Sequence, residues 1–74
     1  MENTYDTIQG RVPVSIAAKV LRVDDQTVRL LLQNGLVNWG IAYKRTGSRH
    51  FSYLIFARKF YEATGFRYEG GGLS

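Results

Sequence analysis

The sequence contains no cysteine, and this absence narrows the classes of protein to which it can belong. It excludes disulfide bonds, a metal site with thiolate ligands and a cysteine nucleophile. A chain of 74 residues forms one small domain, whose apolar core must offset the loss of chain entropy without such cross-links. Hydrophobic residues make up 45% of the sequence and aromatic residues 14%, which is enough apolar material for such a core.

Long apolar segments are also missing. No apolar run approaches the roughly 20 residues that a membrane-spanning helix needs, and the polar N-terminal segment MENTYDTIQG does not resemble a secretion signal. Together with the lack of cysteine, these features predict a cytoplasmic protein. Segments 1–10 and 68–74 have no apolar periodicity, and the second contains three consecutive glycines. We therefore expect two flexible tails around a single domain of residues 11–67.

The chain is basic, and its charges are unevenly distributed. Ten Lys and Arg residues against six Asp and Glu residues give a net charge of +4. Lys44, Arg45 and Arg49 lie within six residues of one another, whereas the acidic residues lie near the two ends and at Asp24 and Asp25. Such a balance is compatible with a nucleic-acid partner, but by itself it is equally typical of small basic proteins that bind none.

An apolar stripe with the spacing i, i+3, i+4 and i+7 predicts a first short helix. Its residues are Val14, Ala17, Ala18 and Leu21. The small side chains of Ala17 and Ala18 allow another helix to approach closely. The helix begins near Pro13 or Ser15, because proline is tolerated in a first turn and serine can cap one.

A second helix follows after a short break. Asp24 can accept hydrogen bonds from the free amides of the first turn, Asp25 favours the positive end of the helix dipole, and Asn34 and Gly35 form a C-terminal stop. The predicted buried stripe comprises Val28, Leu31 and Leu32 and continues at Leu36. The opposite, exposed face comprises Gln26, Arg29, Leu30 and Gln33, with Thr27 at its edge.

The apolar period changes after Gly35. The segments VNWGIAYKR and RHFSYLI are rich in β-branched and aromatic residues and are separated by a turn with a glycine, so they predict a β-hairpin. The first strand alternates as Val37, Trp39, Ile41 and Tyr43, and the second as Phe51, Tyr53 and Ile55. The segment FARKFYEATG predicts a third helix that ends at Gly65 and packs through Phe56, Phe60 and Ala63.

These elements together predict an α+β fold, the winged helix-turn-helix, with two N-terminal helices, a two-stranded hairpin wing and a short C-terminal helix. In this fold the first helix braces the second, and the N-terminal part of the second enters the major groove of DNA. The wing lies along the DNA backbone or the minor groove. The break between the first two helices allows them to cross.

The segment VSIAAKVLRVDDQTVRLLLQNGLV also resembles the helix-turn-helix of the MerR-like excisionases, small DNA-binding proteins of phages and mobile elements. NWGIAYK and FYEATG resemble the hairpin and last helix of such proteins. The resemblance implies sequence-specific binding of double-stranded DNA, in several copies on adjacent sites, as an architectural factor for a separate integrase or recombinase. A transcription regulator with the same DNA-binding surface is the alternative, and a protein-binding module is a third.

The resemblance implies DNA contacts only where this chain matches the family. With the exposed helix face, the predicted DNA-binding residues are Gln26, Thr27, Arg29, Gln33, Lys44, Arg45 and Arg49. Arg22 replaces the family's common turn glycine, so we expect no left-handed backbone there. Asp24 and Asp25 replace the usual Ser-Pro, which places carboxylates where phosphates are expected and makes the first helical turn a doubtful contact surface.

Each of these features has a simpler explanation. The polar helix face is also typical of any solvated amphipathic helix, and the wing cations also protect a hairpin from edge pairing. We interpret His50 as a surface residue, since no second ligand or paired acid lies near it. Trp39, Tyr43 and Phe51 are expected to pack in the core rather than stack on bases. With no phosphate-binding loop and no nucleophile motif, we predict neither enzymatic activity, nor a cofactor, nor a metal.

Overall fold

The computed structural model describes residues 10–68. Its elements follow in the order α1 (Val14–Leu21), α2 (Asp25–Gln33), β1 (Gly40–Lys44), β2 (Phe51–Ile55) and α3 (Ala57–Thr64). The two strands form an antiparallel hairpin. This α+β layout of two helices, a hairpin and a last helix is that of a winged helix, as predicted. The predicted tails lie outside the described residues, except for Gly10 and Tyr68.

α1 begins after Pro13, without a side-chain cap, and ends in a residue with left-handed backbone. Arg22 has φ 64° and ψ 42°. Its N–H donates to the carbonyl of Lys19, and the N–H of Val23 donates to the carbonyl of Ala18. The expectation that Arg22 avoids this conformation was wrong, because the paired bonds that close the helix impose it on whatever residue follows Leu21. For a residue other than glycine the conformation costs about 1–2 kcal/mol.

α2 has the two ends that its sequence predicted. The Asp24 carboxylate accepts a hydrogen bond from the Thr27 amide at 2.9 Å and caps the first turn. Gly35 adopts φ 64°, and the N–H of Leu36 donates to the carbonyl of Leu31 at 3.0 Å. This turn redirects the chain away from the helix axis. Leu36 is consequently 68% exposed, and its predicted place in the buried stripe was wrong.

The core lies between the helices and one face of the hairpin. Its buried residues are Val12, Ala17, Ala18, Val28, Leu32, Trp39, Ile55, Ala57 and Phe60. The rings of Trp39 and Phe60 meet edge to face, with centroids 5.0 Å apart. Phe60 is fully buried as predicted, but Ala63 is exposed. The inward side of α3 instead follows the spacing of Ala57, Phe60, Tyr61 and Thr64.

The hairpin has an inner face, turned toward α2, and an outer face. The inner face carries the directly opposed pairs Gly40–Ile55, Ala42–Tyr53 and Lys44–Phe51, and the outer face carries Ile41–Leu54 and Tyr43–Ser52. Trp39 precedes β1, so its burial does not set the phase of that strand. The predicted grouping of Ile41 and Tyr43 with Trp39 was therefore wrong, since these two side chains are 46% and 37% exposed.

Gly40 explains why β1 has this phase. A Cβ atom at Gly40 would lie 2.8 Å from Cδ2 of Leu32 and 2.7 Å from the carbonyl oxygen of Leu54. The missing side chain thus lets α2 lie directly on the strand. At the same end of the hairpin, the N–H of Val12 donates to the carbonyl of Ile55 at 2.9 Å. No helix within residues 10–68 is long and apolar enough to cross a bilayer.

Candidate nucleic-acid interface

One face of α2 is polar and open to solvent, opposite the buried Val28 and Leu32. Its residues are Gln26, Arg29, Leu30 and Gln33, as predicted; Arg29 is half-buried and the other three are exposed. Nη1 of Arg29 donates to Oε1 of Gln26 at 3.4 Å, so the two side chains lie side by side. Guanidinium and carboxamide groups are the side chains that form paired hydrogen bonds with the major-groove edges of guanine and adenine.

The first turn of α2 has a different chemistry. Both the amide and the hydroxyl of Thr27 donate to the carboxylate of Asp24. The side-chain hydrogen bond from Thr27, followed by the backbone one, lowers the pKa of Asp24 below its ordinary value of 3.8. Asp24 therefore stays ionised as a helix cap, as its sequence position indicated. Its negative charge would repel a phosphate placed at this turn.

Gln33 connects this helix face to the hairpin. Its Nε2 donates a hydrogen bond to Oη of Tyr53, on the inner face of the hairpin. Of the predicted DNA-binding residues on α2, Gln33 is thus held against the wing through its side-chain amide nitrogen. The two partners are 20 positions apart in the sequence, which gave no signal for this contact; it is created by the packing of α2 on the hairpin.

The predicted cations lie at the tip of the wing, residues 44–50, and all of them are exposed. The turn is closed by hydrogen bonds from the N–H of Ser48 to the carbonyl of Arg45 at 2.9 Å, and from the N–H of His50 to Oγ of Ser48 at 3.1 Å. His50 is exposed, as interpreted from the sequence. The sequence has no acidic residue between Asp25 and Glu62, so the segment that contains Arg29 and the wing cations carries only positive charges.

The aromatic residues of the hairpin divide into two groups. Trp39 is buried, as expected. Phe51 is 39% exposed and Tyr43 is 37% exposed, so the expectation that they pack in the core was wrong. Tyr43 is exposed because it lies on the outer face of the hairpin, and Phe51 because it lies nearer the tip than Tyr53, which α2 contacts through Gln33.

The described part of the chain offers little for a metal ion or a small ligand. Within residues 10–68, no three His, Asp or Glu side chains lie together as a metal site would require. A shallow pocket of about 120 Å³ lies beside α3 and is lined by Asn38, Lys59, Glu62 and Ala63.

When the chain is compared with models of protein families, with curated proteins and with solved structures, none of the three comparisons gives a match. The likeness to the MerR-like excisionases remains a prediction from the motif alone.

Proposed function

We propose that this protein binds duplex DNA as a winged helix-turn-helix domain. One observation carries the proposal: the hydrogen bond between Gln33 and Tyr53 joins the polar face of α2 to a hairpin whose tip is basic. A helix face and a wing that are fixed relative to each other can engage neighbouring parts of one duplex at the same time.

In this proposal the contacts divide into two kinds. Arg29 and Gln26 bind base edges in the major groove and so select the sequence. Lys44, Arg45 and Arg49 neutralise phosphates, which adds affinity without sequence preference. The protein makes no covalent change to the DNA. A domain of this size buries only about 600–1,000 Å² on DNA, so we expect several copies on adjacent sites. We expect it to act in the cytoplasm.

The biological role within this class rests on the resemblance alone. We propose an excisionase-like architectural factor that organises DNA for a separate recombinase, and a phage or plasmid transcription regulator would use the same surface. An integrase gene next to the coding sequence favours the first role, and a divergent promoter favours the second.

Selection of duplexes from a random pool, followed by fluorescence anisotropy at several salt concentrations, tests the DNA-binding proposal. We expect the logarithm of affinity to fall with the logarithm of salt concentration with a slope of about −3 or steeper, because at least three cations meet phosphates. A variant with glutamine at positions 44, 45 and 49 should lose most of this slope. The matched control Lys59→Gln, on the exposed side of α3, should retain it. Absence of binding at low salt would contradict the proposal.

A further inference from the structure

A contiguous strip of side chains leads from α2 along the inner face of the hairpin toward its tip. It begins at the Gln33–Tyr53 hydrogen bond. The Phe51 ring lies next, with its centroid 6.3 Å from that of Tyr53. Nζ of Lys44 lies 4.9 Å from the Phe51 centroid. We call these three hairpin residues, Tyr53, Phe51 and Lys44, the inner strip.

The inner strip combines an apolar surface with an exposed cation. Phe51 is 39% exposed although its ring touches Lys44 and Tyr53, so part of its surface still faces solvent. The aliphatic stem of lysine covers apolar surface while its ammonium group stays in water. The strip therefore offers one apolar contact and one positive charge side by side, which matches the alternation of sugar and phosphate along a nucleic-acid strand.

The position of the strip suggests which part of a duplex it meets. If α2 lies in the major groove and the wing tip reaches past its edge, one sugar-phosphate strand must pass between them. The surface between α2 and the wing tip is the inner strip. We propose that it binds this strand, with Phe51 against a deoxyribose and Lys44 against an adjacent phosphate. This inference rests on the proposed DNA binding and assigns a contact residue that neither the motif nor the charge pattern indicates.

Phe51 and Lys44 should then affect binding in different ways. An apolar contact releases no counterions from DNA when it forms. Phe51→Ala should therefore weaken binding at every salt concentration without changing the salt slope. Phe51 as a residue is 39% exposed, which for a side chain of roughly 200 Å² means that covering half or all of the exposed surface on DNA should give a loss of about five- to thirtyfold. Phe51→Leu, which keeps most of the apolar area, should retain most of the affinity. Lys44→Met keeps an apolar side chain over the ring but should lower the salt slope by about one unit.

Tyr43 provides a matched control. It is 37% exposed on the neighbouring strand, but it lies on the outer face of the hairpin. Tyr43→Ala likewise removes a partly exposed aromatic ring from the hairpin and should leave DNA binding unchanged. Urea unfolding followed by Trp39 fluorescence reports whether each variant stays folded.

The experiment measures anisotropy of all five proteins on a duplex selected from the random pool and on a scrambled duplex. The inference predicts that Phe51→Ala weakens binding to both duplexes equally and leaves the salt dependence of the affinity unchanged. It is overturned if Phe51→Ala binds like the wild type, if Tyr43→Ala loses as much affinity, or if the loss is confined to the selected duplex, which would indicate a base contact. If the wild type binds neither duplex, the proposed function fails as well.

Discussion

Leu32 and Leu30 lie two residues apart on α2, and replacing each by alanine tests how this helix is rotated against the hairpin. Leu32 is 4% exposed and packs against Gly40, whereas Leu30 is 45% exposed on the opposite face. Leu32→Ala removes three buried carbon groups, worth about 2.4 kcal/mol, and leaves a cavity that adds about 1 kcal/mol if roughly 40 Å³ stays empty. We therefore expect a loss of about 3 kcal/mol, a large part of the stability of so small a domain.

Urea unfolding measures this difference directly. The protein has a single tryptophan, and Trp39 is only 6% exposed, so its fluorescence follows the loss of the core. Leu30→Ala should lower the unfolding free energy by less than about 1 kcal/mol, because an exposed side chain gains little from folding. If Leu30→Ala is the more destabilising change, α2 is rotated by about half a turn and Gln26, Arg29 and Gln33 do not form the exposed face.

Substitutions at Gly40, Arg22 and Asp24 test further local features of the fold. Gly40→Ala should destabilise the protein by about 1–3 kcal/mol in the same urea assay, because the added methyl group meets the backbone carbonyl of Leu54. Arg22→Gly should be neutral or stabilise by up to about 1 kcal/mol, and Arg22→Val should destabilise, because only glycine adopts the left-handed backbone without cost. Asp24→Ala should lower the midpoint of thermal unfolding at neutral pH more than Asp25→Ala does, because Asp24 caps α2. Folding lowers the pKa of Asp24, so its carboxylate stabilises the folded state fully above its unfolded pKa. This stabilisation is lost as the pH falls through the lower, folded pKa. The difference in thermal midpoint between the wild type and Asp24→Ala should therefore disappear in acid.

The ends of α2 could be predicted from sequence because local chemistry determines them. Asp24 reaches an amide three residues ahead, and Gly35 supplies the left-handed turn, so neither feature depends on the rest of the chain. The same is true of the end of α3 at Gly65. Where the determinants are local hydrogen bonds, a single sequence contains the information.

The phase of β1 could not be predicted because the position that decides it has no side chain. Gly40 lies on the inner face of β1, and Leu32 packs over it. Alternation counted from Trp39 therefore assigns every residue of β1 to the wrong face. The left-handed Arg22 was missed for a related reason, since hydrogen bonds from the turn, rather than its side chain, set its backbone. The Gln33–Tyr53 bond depends on tertiary packing and has no sequence signal at all.

The central claim is that α2 recognises bases while the wing holds the backbone. The most direct test is a set of anisotropy titrations of Arg29→Ala and Arg45→Ala on selected and scrambled duplexes at several salt concentrations. Arg29→Ala should reduce the binding free energy by about 1–3 kcal/mol on the selected duplex and by little on the scrambled one. Arg45→Ala should weaken both equally and reduce the salt slope by about one unit. If Arg29→Ala loses affinity equally on both duplexes, α2 contacts backbone rather than bases. If neither change alters binding while both variants stay folded, the DNA-binding account is contradicted and a protein partner becomes the better explanation.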